Sequence, residues 1–108
     1  ELTLAVEALA PKERAKVIVA YEPLWAIGKT ADAAIGPNDL AEMVLYIRKV
    51  LAELLPGKSS RDSLVLYGGS VEPANARALA GGSGIDGLLV GHASVDPHSF
   101  SLLVQQLS

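Results

Sequence analysis

Glu22 ends a run of five apolar residues, Val17-Ile18-Val19-Ala20-Tyr21, and Pro23 follows it at once. A carboxylate at the end of a buried strand can face a cleft, where partial burial raises its pKa toward the working range of a general base. Pro23 stiffens the strand exit, and residues 25–30, with Gly28 among them, have the make-up of a lid. The same residue types also fit an acid at a sheet rim paired with Lys29. Two other segments are rich in small residues, Gly68-Gly69-Ser70 and Gly91-His92-Ala93-Ser94. Glycine lets the backbone approach an anion closely, and successive N–H groups cradle phosphate oxygens. The positive end of a following helix adds to that attraction. Either turn alone is equally a tight connection from strand to helix; two after consecutive strands give the phosphate reading equal standing. His92 sits in the second turn, and His98 is expected on the surface. Neither has ligand spacing to other residues, so no metal site is expected. Tyr67 fits either a core aromatic or a hydroxyl that reaches the lid, and Asp86 fits a local cap or pair.

These residues need elements to hold them. Leu2, Val6 and Leu9 recur at helical spacing before Pro11, which predicts a short amphipathic helix. Residues 17–21 read as a buried strand. Gly36-Pro37 opens a long helix whose apolar face is Leu40, Met43, Val44, Ile47, Val50, Leu51 and Leu54, and Pro56-Gly57 ends it. Residues 64–67 are the second strand, and a short helix runs from Pro73 through Leu79 to the stop at Gly81-Gly82. Residues 87–90 are the third strand. Asp96-Pro97 is a strong helix start, with Leu103, Val104 and Leu107 on the apolar face of the last helix. The order α-β-α-β-α-β-α, with near-continuous apolar strands, implies a parallel sheet covered by helices. In such folds ligands gather at the carboxyl ends of the strands, where Glu22 and both glycine-containing turns fall. Three strands leave open edges, so the sequence reads as part of a larger parallel sheet or barrel.

The chain has 108 residues, half of them apolar, enough for one small domain with a core. A net charge of −3 without a basic cluster argues against nucleic acid. Without cysteine there is no disulfide framework or thiolate metal site. No apolar run approaches a membrane span, and no signal peptide is evident. The first residue is Glu1 rather than methionine, as expected of a processed or excerpted polypeptide.

The segments A-Y-E-P-L-W-A-I-G, K-T-A, L-Y-G-G-S-V and D-G-L-L-V-G-H-A-S resemble the C-terminal part of the triosephosphate isomerase family, in order and nearly end to end. The resemblance implies an α/β chain, 1–108, forming strands six to eight of a partial (βα)8 TIM barrel. It implies interconversion of dihydroxyacetone phosphate and glyceraldehyde 3-phosphate, a step of glycolysis and gluconeogenesis, in the cytoplasm. Glu22 matches the catalytic base. Pro23-Leu24-Trp25 matches the first lid hinge, and Lys29-Thr30-Ala31 the second, with Gly28 between them. Tyr67 matches the tyrosine that holds the closed lid. Gly69, Ser70 and Gly91 match phosphate-binding positions, and His92 takes the place of a second phosphate-contacting glycine. No cofactor is expected, since base, substrate and a supplied electrophile suffice.

The departures shape the expectation. The lid is two residues shorter than the family pattern A-I-G-T-G-K-T-A, and His92 either crowds the phosphate or assists it. The family's asparagine–lysine pair, its electrophilic histidine and its dimer loop have no match here. The chain alone is therefore expected to be inactive. It would work when completed by an N-terminal half-barrel chain. The alternative is a half-barrel that self-associates through its open sheet edges, with a residual phosphate site and no catalysis.

Overall fold

The computed structural model describes residues 2–14, 16–23, 35–55 and 63–108. Its described elements are α1 (Leu2–Glu7), α2 (Pro11–Arg14), β1 (Val19–Tyr21), α3 (Pro37–Leu54), β2 (Val65–Gly68), α4 (Pro73–Ala80), β3 (Gly87–Leu89), a 3-10 turn (His92–Val95) and α5 (Pro97–Leu107). The strands are parallel in the order β1-β2-β3. Tyr21 stands opposite Tyr67, and Gly68 opposite Leu89. This open three-stranded sheet with intervening helices is a partial α/β barrel.

Side chains alternate between the two faces of a strand, and here the faces differ sharply. Val65 and Tyr67 are fully buried, and Val19, Tyr21, Leu88 and Val90 pack against the same core. Leu40, Val44, Ile47 and Leu51 of α3 enter that core at helical spacing, with Ala76 and Leu79 of α4 and Leu103 of α5. The opposite face carries Ile18, Leu64 and Leu89, which are 59%, 44% and 44% exposed. The helices therefore cover one side of the sheet and leave an apolar side bare.

Three details depart from the expected elements. The first helix stops at Glu7 rather than running to Leu9, because the Arg14 guanidinium takes up the carbonyls of Glu7 and Leu9 and, from the end of α3, that of Leu54. The Val17 N–H is bound in a turn to the Arg14 carbonyl, so β1 begins at Val19, whose N–H reaches the Leu64 carbonyl. After β3 the chain enters a 3-10 turn in which the Ser94 N–H and hydroxyl both donate to the Gly91 carbonyl. The expected stop at Pro56-Gly57 lies outside the described residues. The starts of the later helices are as anticipated. Pro73 follows a reciprocal cap between Glu72 and Asn75, and Asp96 accepts from the N–H groups of His98 and Ser99.

The amino ends of β2 and β3 are joined by one carboxylate. Asp86 Oδ2 accepts the Val65 N–H at 2.8 Å and the Arg48 Nη2 at 2.9 Å. The Asp86 N–H returns to the Val65 carbonyl at 2.8 Å. Arg48 also donates to the carbonyls of Ser63 and Gly84. The Val65 hydrogen bond, opposed in part by burial and helped by Arg48, holds the Asp86 carboxyl below the usual carboxylate range. Near the other end of β2, a Cβ at Gly69 would lie 2.5 Å from the Tyr67 hydroxyl oxygen. The turn passes so close to the buried ring that only glycine fits.

Replacing Asp86 by alanine should lower unfolding free energy by about 1–3 kcal/mol in urea denaturation, since the Val65 N–H and Arg48 lose their acceptor. Because the folded pKa is depressed, this contribution is present at neutral pH. It should fade as the pH falls from the ordinary carboxylate range through the lower folded value, and D86A should lose this part of the pH dependence. Gly69→Ala should cost about 1–3 kcal/mol through overpacking, and the cost should be smaller in a Tyr67→Phe background.

Candidate functional site

The strand register sets the site. Tyr21 opposite Tyr67 brings Glu22 level with Gly68, and Gly68 opposite Leu89 brings the Gly69-Ser70 turn level with Val90-Gly91. Adjacent strands lie about 4.8 Å apart, so the candidate base and both turns occupy one rim. Glu22 is exposed, while Pro23 behind it is buried. Among the described residues Glu22 makes no ion pair. Its Oε2 lies over Gly68, 3.0 Å from where a Cβ on that residue would be.

The Gly69-Ser70 turn is held from below. The Asn75 side-chain amide donates to the Ser70 carbonyl at 2.7 Å, and the Val71 N–H donates to the Gly69 carbonyl at 3.1 Å. The same Asn75 accepts from the Glu72 N–H, which closes the cap of α4. With both carbonyls engaged, the turn has a fixed path into the helix. Asn75 is a supporting residue that the sequence reading missed. The signal was present in Glu72-Pro73-Ala74-Asn75, a polar residue three positions after a cap just before the apolar Ala76 and Leu79.

Gly91 has open space where a Cβ would stand, and His92 is exposed at the start of the 3-10 turn. His98 is exposed on the first turn of α5. Tyr67 is buried beneath Gly69, its ring centroid 6.4 Å from that of Tyr21. Its hydroxyl has no partner of hydrogen-bond geometry among the described residues. Burial pushes that hydroxyl up from its ordinary value. The nearby Ile35 N–H opposes the shift in part, and Tyr21 and Glu22 add to it. The lid positions Leu24, Trp25, Gly28, Lys29, Thr30 and Ala31 lie outside the described residues, as does the alternative partner Lys29. The rim thus brings together a solvent-facing carboxylate and two glycine-containing turns, a set able to move a proton on a small anionic molecule.

Comparison with known proteins fits this arrangement. The family model for triosephosphate isomerase matches residues 1–107. A triosephosphate isomerase of Lactobacillus gasseri is 41% identical over 106 residues, covering 96% of this chain and 41% of that protein. Those of Dehalococcoides mccartyi and Aquifex aeolicus are each 45% identical, over 102 and 89 residues, covering 93% and 82% of this chain but 39% and 35% of those proteins. The chain spans about two fifths of the length of such relatives. With the family model matched along nearly its whole length and an open parallel sheet of the corresponding architecture, the chain belongs to the triosephosphate isomerase family.

Proposed function

We propose that this chain supplies the base and the phosphate-binding turns of a triosephosphate isomerase, acting in the cytoplasm once an N-terminal half of the barrel completes it. The observation that carries this reading is the position of Glu22, exposed at the end of β1 and one strand spacing from the Gly69-Ser70 turn. A triose phosphate anchored by its phosphate near Gly69, Ser70, Gly91 and His92 would present its carbons to the carboxylate. Glu22 removes a proton from the carbon next to the carbonyl and becomes a carboxylic acid, leaving an enediolate. The hydroxyl proton passes from one enediolate oxygen to the other and the carbon-bound proton returns to the neighbouring carbon, so base and charge are restored and no redox cofactor enters the balance. By the resemblance, residues 23–31 would serve as the lid and Tyr67 as the residue that holds it closed. The electrophile that polarises the carbonyl belongs to the missing half.

The bare apolar face with Ile18, Leu64 and Leu89 favours a second reading, a self-associating half-barrel that keeps only the phosphate turns. Native mass spectrometry of the purified assembly separates the two. A second, larger polypeptide supports the completed enzyme, and copies of this 11.2 kDa chain alone support self-association. The lone chain should show no isomerase turnover. In the completed enzyme Glu22→Gln should reduce kcat by about 10²–10⁴-fold, the range of a general base, and an unchanged kcat would remove Glu22 from that role.

A further inference from the structure

The glycines around β2 and β3 exist for different reasons, and one of them concerns the base. Gly82 and Gly84 have φ of +84° and +87°, which L side chains rarely adopt. Gly69 is kept small by the Tyr67 hydroxyl. Gly68 has neither reason. Its φ is not positive, and the atoms that a Cβ there would meet are side-chain atoms: Glu22 Oε2 at 3.0 Å, Leu89 Cβ at 3.4 Å and Leu89 Cδ1 at 3.6 Å. The two Leu89 contacts are ordinary van der Waals distances. The tight contact is the one with the carboxylate, which would have to give by a few tenths of an ångström to admit a methyl group.

We propose that Gly68 is a positioning residue for Glu22: by having no side chain it leaves a notch at the end of β2 in which the carboxylate rests. Register and parity produce the notch. Tyr21 pairs with Tyr67, so Glu22 and Gly68 are the next residues of adjacent parallel strands and project on the same bare face. Leu89, level with Gly68 on β3, closes the far side. The carboxylate therefore lies toward the middle strand and the Gly69-Ser70 turn. A methyl group at 68 would displace the end of a flexible side chain while leaving the strand pairing intact, so the fold should tolerate what the base does not. The proposal takes its catalytic consequence from the reading of Glu22 as the base, but the geometry can be tested without it.

In the chain itself, the Glu22 carboxyl carbon would be followed by carbon-13 NMR across a pH titration, with and without Gly68→Ala. The Glu22 carboxyl resonance should shift on the substitution, while the Asp86 carboxyl carbon, at the opposite end of the sheet, should not. An unmoved Glu22 signal in a folded variant would overturn the proposal. If G68A fails to fold, the double variant with Glu22→Ala decides: recovered folding supports a clash with the carboxylate, and continued failure means the glycine serves the backbone. In the completed enzyme, Gly68→Ala should lower kcat about 10- to 100-fold, as expected for a misplaced reacting group. KM should stay within about threefold, because the methyl group would meet Glu22 and Leu89 rather than Gly69, Ser70 or Gly91. It should add little loss on top of Glu22→Gln, and equal losses in both backgrounds would contradict positioning. A Glu22→Gln enzyme that keeps full activity would sink the base reading, whereas the NMR shift would still report the notch.

Discussion

The Asp86 carboxylate accepts both the Val65 N–H and the Arg48 guanidinium, at the place where α3, β2 and β3 meet. Parallel strands are joined only through long connections, so nothing local in the chain fixes how far one strand slides against the next. Here the slide is fixed by side-chain chemistry. Asp86 binds the first residue of β2 through both its backbone N–H and its side chain, which locks Leu66 opposite Gly87 and Gly68 opposite Leu89. Arg48 adds the long helix to the same joint through the carbonyls of Ser63 and Gly84. A slip of one residue would exchange the buried and bare faces. It would also move Gly91 away from the level of Ser70, and the rim would lose its arrangement.

The one-sided burial of the sheet follows from the same joint. With α3 tied to the amino ends of β2 and β3, its apolar stripe lies over Val65 and Tyr67, and α4 and α5 complete that layer. The bare face then holds the residues of opposite parity: Ile18, Ala20, Leu64, Leu66, Leu89 and, at the far end of β1, Glu22. In a closed barrel this face is the interior, which is filled by layers of branched side chains from all strands. Ile18, Leu64 and Leu89 are suited to such layers, and their exposure reflects a sheet that covers two fifths of the relatives' length.

Much of this was legible in the residues. The apolar runs around Ala20, Leu66 and Leu88 announce strands by their length and composition, and the spacing of Leu40, Val44, Ile47 and Leu51 announces α3. The Asp96-Pro97 pair announces the start of α5 because its cap is local. Glu22 and the glycine turns could be assigned to one rim from strand order alone. The remainder depended on bonds between distant residues. The Glu7 carbonyl at the end of α1 is taken by the Arg14 side chain, which also reaches the Leu54 carbonyl, and no pattern within residues 2–14 contains Leu54. Asp86 reads as a local cap or pair, yet its cation is Arg48, distant in the chain on α3. The 3-10 turn at His92–Val95 follows from Ser94 bonding back to Gly91, in a stretch whose composition also suits an open loop.

The polar fastenings are divided between the two ends of the sheet. Among the described residues, the side-chain bonds from Arg14 to Leu54, from Arg48 to Ser63, Gly84 and Asp86, and from the Val65 N–H to Asp86 gather on the side where β2 and β3 begin, and Arg77 near the end of α4 reaches the Gln106 carbonyl near the end of α5. On the side where the strands finish, the side chains of Asn75 and Ser94 bond within their own turns, to the carbonyls of Ser70 and Gly91. Mechanically, the scaffold is bolted along one margin and merely folded along the other. Segments on the folded margin can be lengthened, shortened or exchanged without undoing a bolt. His92, exposed beside Gly91, stands on that margin. Such a body plan lets the reactive margin drift in sequence while the frame beneath it stays the same.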